Sequence, residues 1–244
     1  MLHGCTQNPE DFARGTAMNA QAEAHRLIVA YPAQDRGANA QGCWNWFRPG
    51  DQGRAGESGL IAALAAELGA EFGLAPGRAF VAGLSAGGAM AAIVAEAHPD
   101  AFAAAGVHSG LAPGAASDVA SAFAAMSGQQ ARAAAAPAVP TILVHGDADR
   151  TVAPANAEHA RRDLAQVTER ARTVGGREAR VIAGRTRRGH AVELWRVAGA
   201  GHAWQGGDPA GSYADAQGPD ASAEMVRFFL AQIAGPAPSP KAGL

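Results

Sequence analysis

The chain has 244 residues, 48% of them apolar, and 20 basic against 22 acidic side chains, a net charge of −2. That length and apolar content suit one domain with a sizeable core. The near-zero charge implies no strong polyelectrolyte partner, no nucleic-acid motif is present, and no apolar run approaches the ~18 residues of a membrane span. Two cysteines, Cys5 and Cys43, are too few for a disulfide scaffold or a zinc ribbon.

Met1 and Leu2 read as the last residues of a buried strand, running straight into the loop His3-Gly4-Cys5-Thr6. Asn8 caps a helix that opens on Pro9, Glu10 and Asp11 and is expected to reach His25. A continuous apolar run at 27–31 predicts a strand. Residues 32–56, polar, Gly-rich and aromatic, predict a long loop of the kind that carries function. Leu60, Ile61, Leu64, Leu68 and Phe72 then recur at helical spacing. Apolar runs at 79–83, 103–108 and 141–145 predict buried strands, with helices over 86–97, 118–127 and, from Pro154, to about Arg172. Runs at 179–183 and 191–197 predict a hairpin or neighbouring strands. A loop over 198–220 precedes a helix over 221–233 that turns Met225, Phe228, Phe229 and Ile233 inward, and 235–244 reads as a disordered Pro-rich tail. The basic run Arg185, Arg187 and Arg188 reads as a solvated loop. Short apolar strands alternating with helices predict an α/β fold, a mostly parallel sheet with helices on both faces.

Gly83-Leu84-Ser85-Ala86-Gly87 fits G-x-S-x-G between a strand and a helix. A nucleophilic serine on that tight turn needs glycines where side chains would collide, and the helix N-terminus behind it favours developing negative charge. The serine needs a base, and the base an orienting acid. Asp147 and Asp149, just past a strand end, are both candidates for the acid. His202, in a Gly-rich loop after the last strand, is the candidate base. Of the other histidines, His25, His98, His159 and His190 read as surface residues, and His108 and His145 as hydrogen-bonded structural groups at strand ends. An oxyanion hole needs two backbone N–H groups: one from Ala86, the other from the early loop that holds His3-Gly4-Cys5-Thr6.

With these motifs in place, "LHGCTQ", "YPAQ", "GCWNWF", "AGLSAGG", "HGDADRTV", "GAGHAW" and "GPDASAEMVRFFL" resemble the poly(3-hydroxybutyrate) depolymerase family of esterases, related to feruloyl and acetylxylan esterases. The resemblance implies an α/β-hydrolase fold, Ser85 as nucleophile, His202 as base, Asp149 as the acid, and the Cys5 and Ala86 amides as the oxyanion hole. In that family strands precede the segment matching "LHGC", so it also implies a sheet whose N-terminal strands are missing here. It implies an extracellular or periplasmic setting, although no signal peptide is visible, and the chemistry calls for no metal or organic cofactor.

The expected activity is serine ester hydrolysis of a polyester or a related carboxylic ester. The alternatives are a feruloyl or acetyl esterase, an acyltransferase with the same triad, and a non-catalytic fragment. Trp44, Trp46 and Trp204 are the candidate substrate contacts, because aromatics can bury a polyester chain, a sugar ring or a feruloyl group, and plugging the core is the equally weighted alternative for each; Phe47 faces away from Trp46 if that segment is extended. Cys5 and Cys43, each inside a substrate-side motif, are expected to form a disulfide tying the oxyanion loop to the aromatic loop.

Overall fold

The structure, a computed structural model, describes residues 1–129, 136–159 and 163–233. Its frame is a six-stranded sheet in the order β1-β2-β3-β6-β5-β4. Strands β1 (Ala79–Leu84), β2 (Phe102–His108), β3 (Thr141–Gly146) and β6 (Ala191–Val197) run parallel, so their C-terminal ends lie along one edge. Strands β5 (Arg177–Arg185) and β4 (Ala165–Val174) extend the sheet antiparallel. Leu2 adds a single parallel bridge to Gly83: its N–H donates to the Ala82 carbonyl, and its carbonyl accepts from Leu84 N–H.

The alternating strand side chains build two cores. On one face Val81 and Ala105 pack with Met90, Ile93 and Val94 of α4 (Ala86–Ala97) and with Ile61 of α3 (Gly56–Glu71). On the other, Ala82, Leu84, Ile142 and Val144 pack with Met225, Phe228 and Phe229 of α7 (Ala221–Ile233). The parallel strands are buried on both faces, which is why they read as continuous apolar runs. Helices α1 (Pro9–Thr16) and α2 (Met18–His25) lie on the α7 side, and α5 (Val119–Met126) and α6 (Ala155–Glu158) lie in the connections around β3. Among the described residues no helix is long and apolar enough to cross a membrane.

Several expectations need correction. The helix from Pro154 to Arg172 is in fact the single turn α6 followed by β4. Val167, Thr168, Thr173 and Val174 are β-branched, and Gly175 and Gly176, both at positive φ, close the β4–β5 hairpin. The run 27–31 pairs with no strand among the described residues; Leu27, Val29 and Tyr31 pack on the core while Ile28 points out. The helix from Pro9 to His25 is broken at Ala17, whose φ of 50° caps α1. In α3, Ile61 is buried but Leu60 is exposed, as is Phe72 just past the helix end. His98 is buried at the end of α4, not on the surface. Ile233 is only half-buried. The predicted tail over 235–244 lies outside the described residues.

Candidate active site

Ser85 stands between β1 and α4 at φ 58° and ψ −119°, a strained backbone for a residue with a Cβ. Two glycines make the turn possible. A Cβ on Gly87 would sit 2.1 Å from the Leu2 carbonyl oxygen, and one on Gly83 2.4 Å from the Gly87 backbone. The Ser85 N–H donates to the His108 carbonyl at the end of β2 (2.9 Å), which locks the turn to the sheet edge.

Asp149 follows β3 and His202 follows β6, so both reach the same edge. Asp149 is 5% exposed. Its Oδ1 accepts from the N–H groups of Thr151 and Val152, each at 2.9 Å, and its Oδ2 lies 2.7 Å from His202 Nδ1. His145 Nε2 lies 2.9 Å from the Val152 carbonyl and 3.4 Å from Asp149 Oδ2; a carbonyl only accepts, so that nitrogen carries the proton. Burial alone would raise the Asp149 carboxyl, but hydrogen bonds from His145, His202 and the Val152 amide outweigh it and hold the group well below the usual carboxylate range. An ionised Asp149 makes His202 Nδ1 the donor and leaves Nε2 as the acceptor. Asp147 does something else. It is exposed, and its Oδ1 accepts from Gly199 N–H at 2.7 Å, bracing the turn after β6.

The loop after Leu2 lies against this turn: a Cβ on Gly4 would be 3.6 Å from Ser85 Cβ. Gly4 N–H donates to Gln7 Oε1 (2.9 Å) and Thr6 N–H to the Gln41 carbonyl (2.8 Å). Between them the Cys5 amide has no acceptor among the described residues, and neither has that of Ala86. Cys5 is bonded to Cys43. His3 Nδ1 donates to the Gly4 carbonyl and its Nε2 accepts from Gln34 N–H, and burial lowers its pKa, so the ring is neutral. Sequence reasoning missed a buried carboxylate here. Glu57, at the start of α3, accepts from the Gln34 side chain and from both the side chain and backbone N–H of Asn45, holding the aromatic loop to the start of α3.

Beneath the site His108 is fully buried. Its Nε2 accepts from Gln205 N–H (3.3 Å), and its ring stacks on Trp204 at 4.9 Å. Burial, with His145 and His202 nearby, lowers its pKa to about 3. The three tryptophans named as substrate contacts are all core residues. Trp44 and Trp46 pack in the α4-side core and Trp204 in the α7-side core, where its Nε1 donates to Ser222 Oγ. The exposed aromatic beside His202 is Tyr213, its ring edge-on at 6.4 Å, which the sequence reading did not single out. The available signal was a lone tyrosine in the Gly-rich loop just after the histidine.

A mixed sheet with a parallel core and helices on both faces, a strained serine turn after one strand, and an Asp–His pair after two others define an α/β hydrolase. Residues 1–191 match the family model described as Esterase PHB depolymerase, and the chain belongs to that family. It is 35% identical over 170 residues to poly(3-hydroxyalkanoate) depolymerase C of Paucimonas lemoignei, a match covering 64% of this chain and 41% of that protein. It is 29% identical over 113 residues to feruloyl esterase B of Neurospora crassa, covering 46% and 38%. The chain therefore spans well under half the length of these relatives. Among solved structures, the acetyl xylan esterase from Aspergillus awamori shares the fold with a TM-score of 0.66 at 18% identity, over 82% of this chain and 81% of that one.

Proposed function

We propose that the protein is a serine carboxylic ester hydrolase working through Ser85, His202 and Asp149. Ser85 Oγ attacks the ester carbonyl while His202 Nε2 takes its proton, and the Cys5 and Ala86 amides hold the oxyanion. His202 then protonates the leaving alcohol and activates the water that cleaves the acyl-enzyme. The observation that carries this reading is the 2.7 Å contact of His202 Nδ1 with a buried Asp149, on the same sheet edge as the strained Ser85 turn. Hydrolysis of p-nitrophenyl esters tests it. Ser85→Ala is expected to lower turnover on the order of 10⁶-fold, about 8 kcal/mol of barrier. Near-wild-type turnover by a folded variant would sink the assignment.

The substrate class we favour is a polyester of hydroxy acids such as poly(3-hydroxybutyrate), supported by the family match and the name of the Paucimonas lemoignei relative. The named feruloyl and acetylxylan esterases among the relatives support plant polysaccharide esters as the second reading. The Cys5–Cys43 disulfide supports an oxidising, extracellular or periplasmic setting.

A further inference from the structure

Of the large apolar side chains exposed among the described residues, Tyr213 is the one in ring contact with His202. It sits at φ 51°, a backbone that tyrosine holds only where its surroundings over-determine it. They do so here. Its carbonyl accepts from Trp204 N–H at 2.7 Å. The preceding Ser212 donates its N–H to Asp11 Oδ1 (2.9 Å) and accepts at its carbonyl from Gln7 Nε2 (2.9 Å). Gln7 Oε1 is the same group that holds the Gly4 amide. One glutamine side chain thus sets the position of Tyr213 relative to the oxyanion loop. At the other end of the ring, Tyr213 Oη lies 3.5 Å from Thr6 Oγ1, next to Cys5. The ring bridges the histidine and the oxyanion loop and walls one side of the space between them.

In ester cleavage by the proposed triad, the atom that takes the proton from His202 is the alkoxy oxygen. The group bonded to that oxygen is the part of the ester that lies against the wall beside His202. We propose that the Tyr213 ring is the binding contact for the alcohol half of the ester, and that it favours alcohols branched or cyclic at the carbon bearing oxygen over methanol. A polyester of 3-hydroxy acids and an acetylated sugar ring both carry such secondary alcohols. The inference rests on the proposed hydrolase reading.

The test uses acetates of different alcohols, which all give the same acyl-enzyme, so alcohol preference appears only in acylation and hence in kcat/KM. Tyr213→Asn removes the ring and tolerates the left-handed backbone; Tyr213→Phe keeps the ring. Tyr213→Asn is expected to lower the kcat/KM ratio of cyclohexyl acetate over methyl acetate about tenfold, the scale of a lost apolar contact in a binding pocket. Tyr213→Phe keeps the wild-type ratio, and the ratio of methyl butyrate over methyl acetate stays as in wild type in both. An unchanged alcohol ratio in Tyr213→Asn, an equal loss on every ester, or a change in the acyl ratio instead overturns the proposal while leaving the hydrolase reading intact. Absence of ester turnover in the wild-type protein overturns both.

Discussion

Asp147 and Asp149 are two residues apart, and burial separates their roles. Asp149 is enclosed, with one oxygen filled by two backbone N–H groups and the other shared by His202 and His145. Asp147 is exposed and satisfies one turn amide. Asp149→Asn is expected to lower kcat on the order of 10⁴-fold, because the amide favours the wrong imidazole tautomer. Asp147→Asn is expected to keep most of the activity and of the stability, because the asparagine Oδ1 still accepts from Gly199 N–H. Steady-state kinetics and urea unfolding of both variants check this, and the opposite ranking of kcat would reassign the acid. At this scale the candidate serine, histidine and aspartate stand out in sequence because the proposed chemistry demands those residue types beside particular strand ends. The burial of the three tryptophans was not legible, because an aromatic ring in a core and one in a groove have the same sequence signature; only packing separates Trp204, stacked on His108, from Tyr213, exposed beside His202.

The long loop between α2 and α3 is tied to the His3–Thr6 loop by Cys5–Cys43, by Thr6 N–H donating to the Gln41 carbonyl and by Gln34 N–H donating to His3 Nε2, while Glu57 braces the long loop itself through Gln34 and Asn45. The disulfide closes a sequence separation of 38 residues. Replacing both cysteines by serine is expected to lower stability by about 4 kcal/mol on the chain-entropy estimate. Turnover is expected to fall by up to about 10²-fold as the Cys5 amide loses its fixed position. Denaturation midpoints and kcat of the double variant, compared with the oxidised protein, read both effects. Unchanged kcat would show that the hydrogen bonds of Thr6 to Gln41 and of Gln34 to His3 hold the loop without the disulfide. The disulfide was legible because each cysteine lies inside a substrate-side motif, whereas the Glu57 network was not, since its members lie 11 and 12 residues apart in the polar loop sequence and meet only in three dimensions. The strands of the parallel core were legible as continuous apolar runs. Strand β4 was not, because it is exposed along nearly its whole length and carries no apolar run; the Gly175-Gly176 turn was its one clear mark.

Across the whole molecule, the buried histidines make stability depend on pH. His108 ordinarily titrates at 6.5, and burial under the site brings it to about 3 in the fold. Between those values the unfolded chain binds a proton at His108 that the folded protein does not. Stability from this group is therefore complete above pH 6.5 and is lost as pH falls toward 3, with a slope approaching about 1.4 kcal/mol per pH unit. His3, also lowered by burial, acts in the same direction below its ordinary value of 6.5. Asp149 joins later. Burial opposes its charge, but its hydrogen bonds outweigh that and depress its pKa below the ordinary 3.8, so the stability it contributes is present above 3.8 and is lost at more acid pH. Urea unfolding between pH 8 and 4 is expected to show stability falling more steeply below pH 6.5 than above it. His108→Gln removes the deepest of these groups. It is expected to be less stable than wild type at pH 8, having lost the stack on Trp204, yet to decline less steeply between pH 6.5 and 4, because its side chain cannot be protonated there. Parallel declines in the two proteins would mean that His108 is not the group that couples the fold to protons.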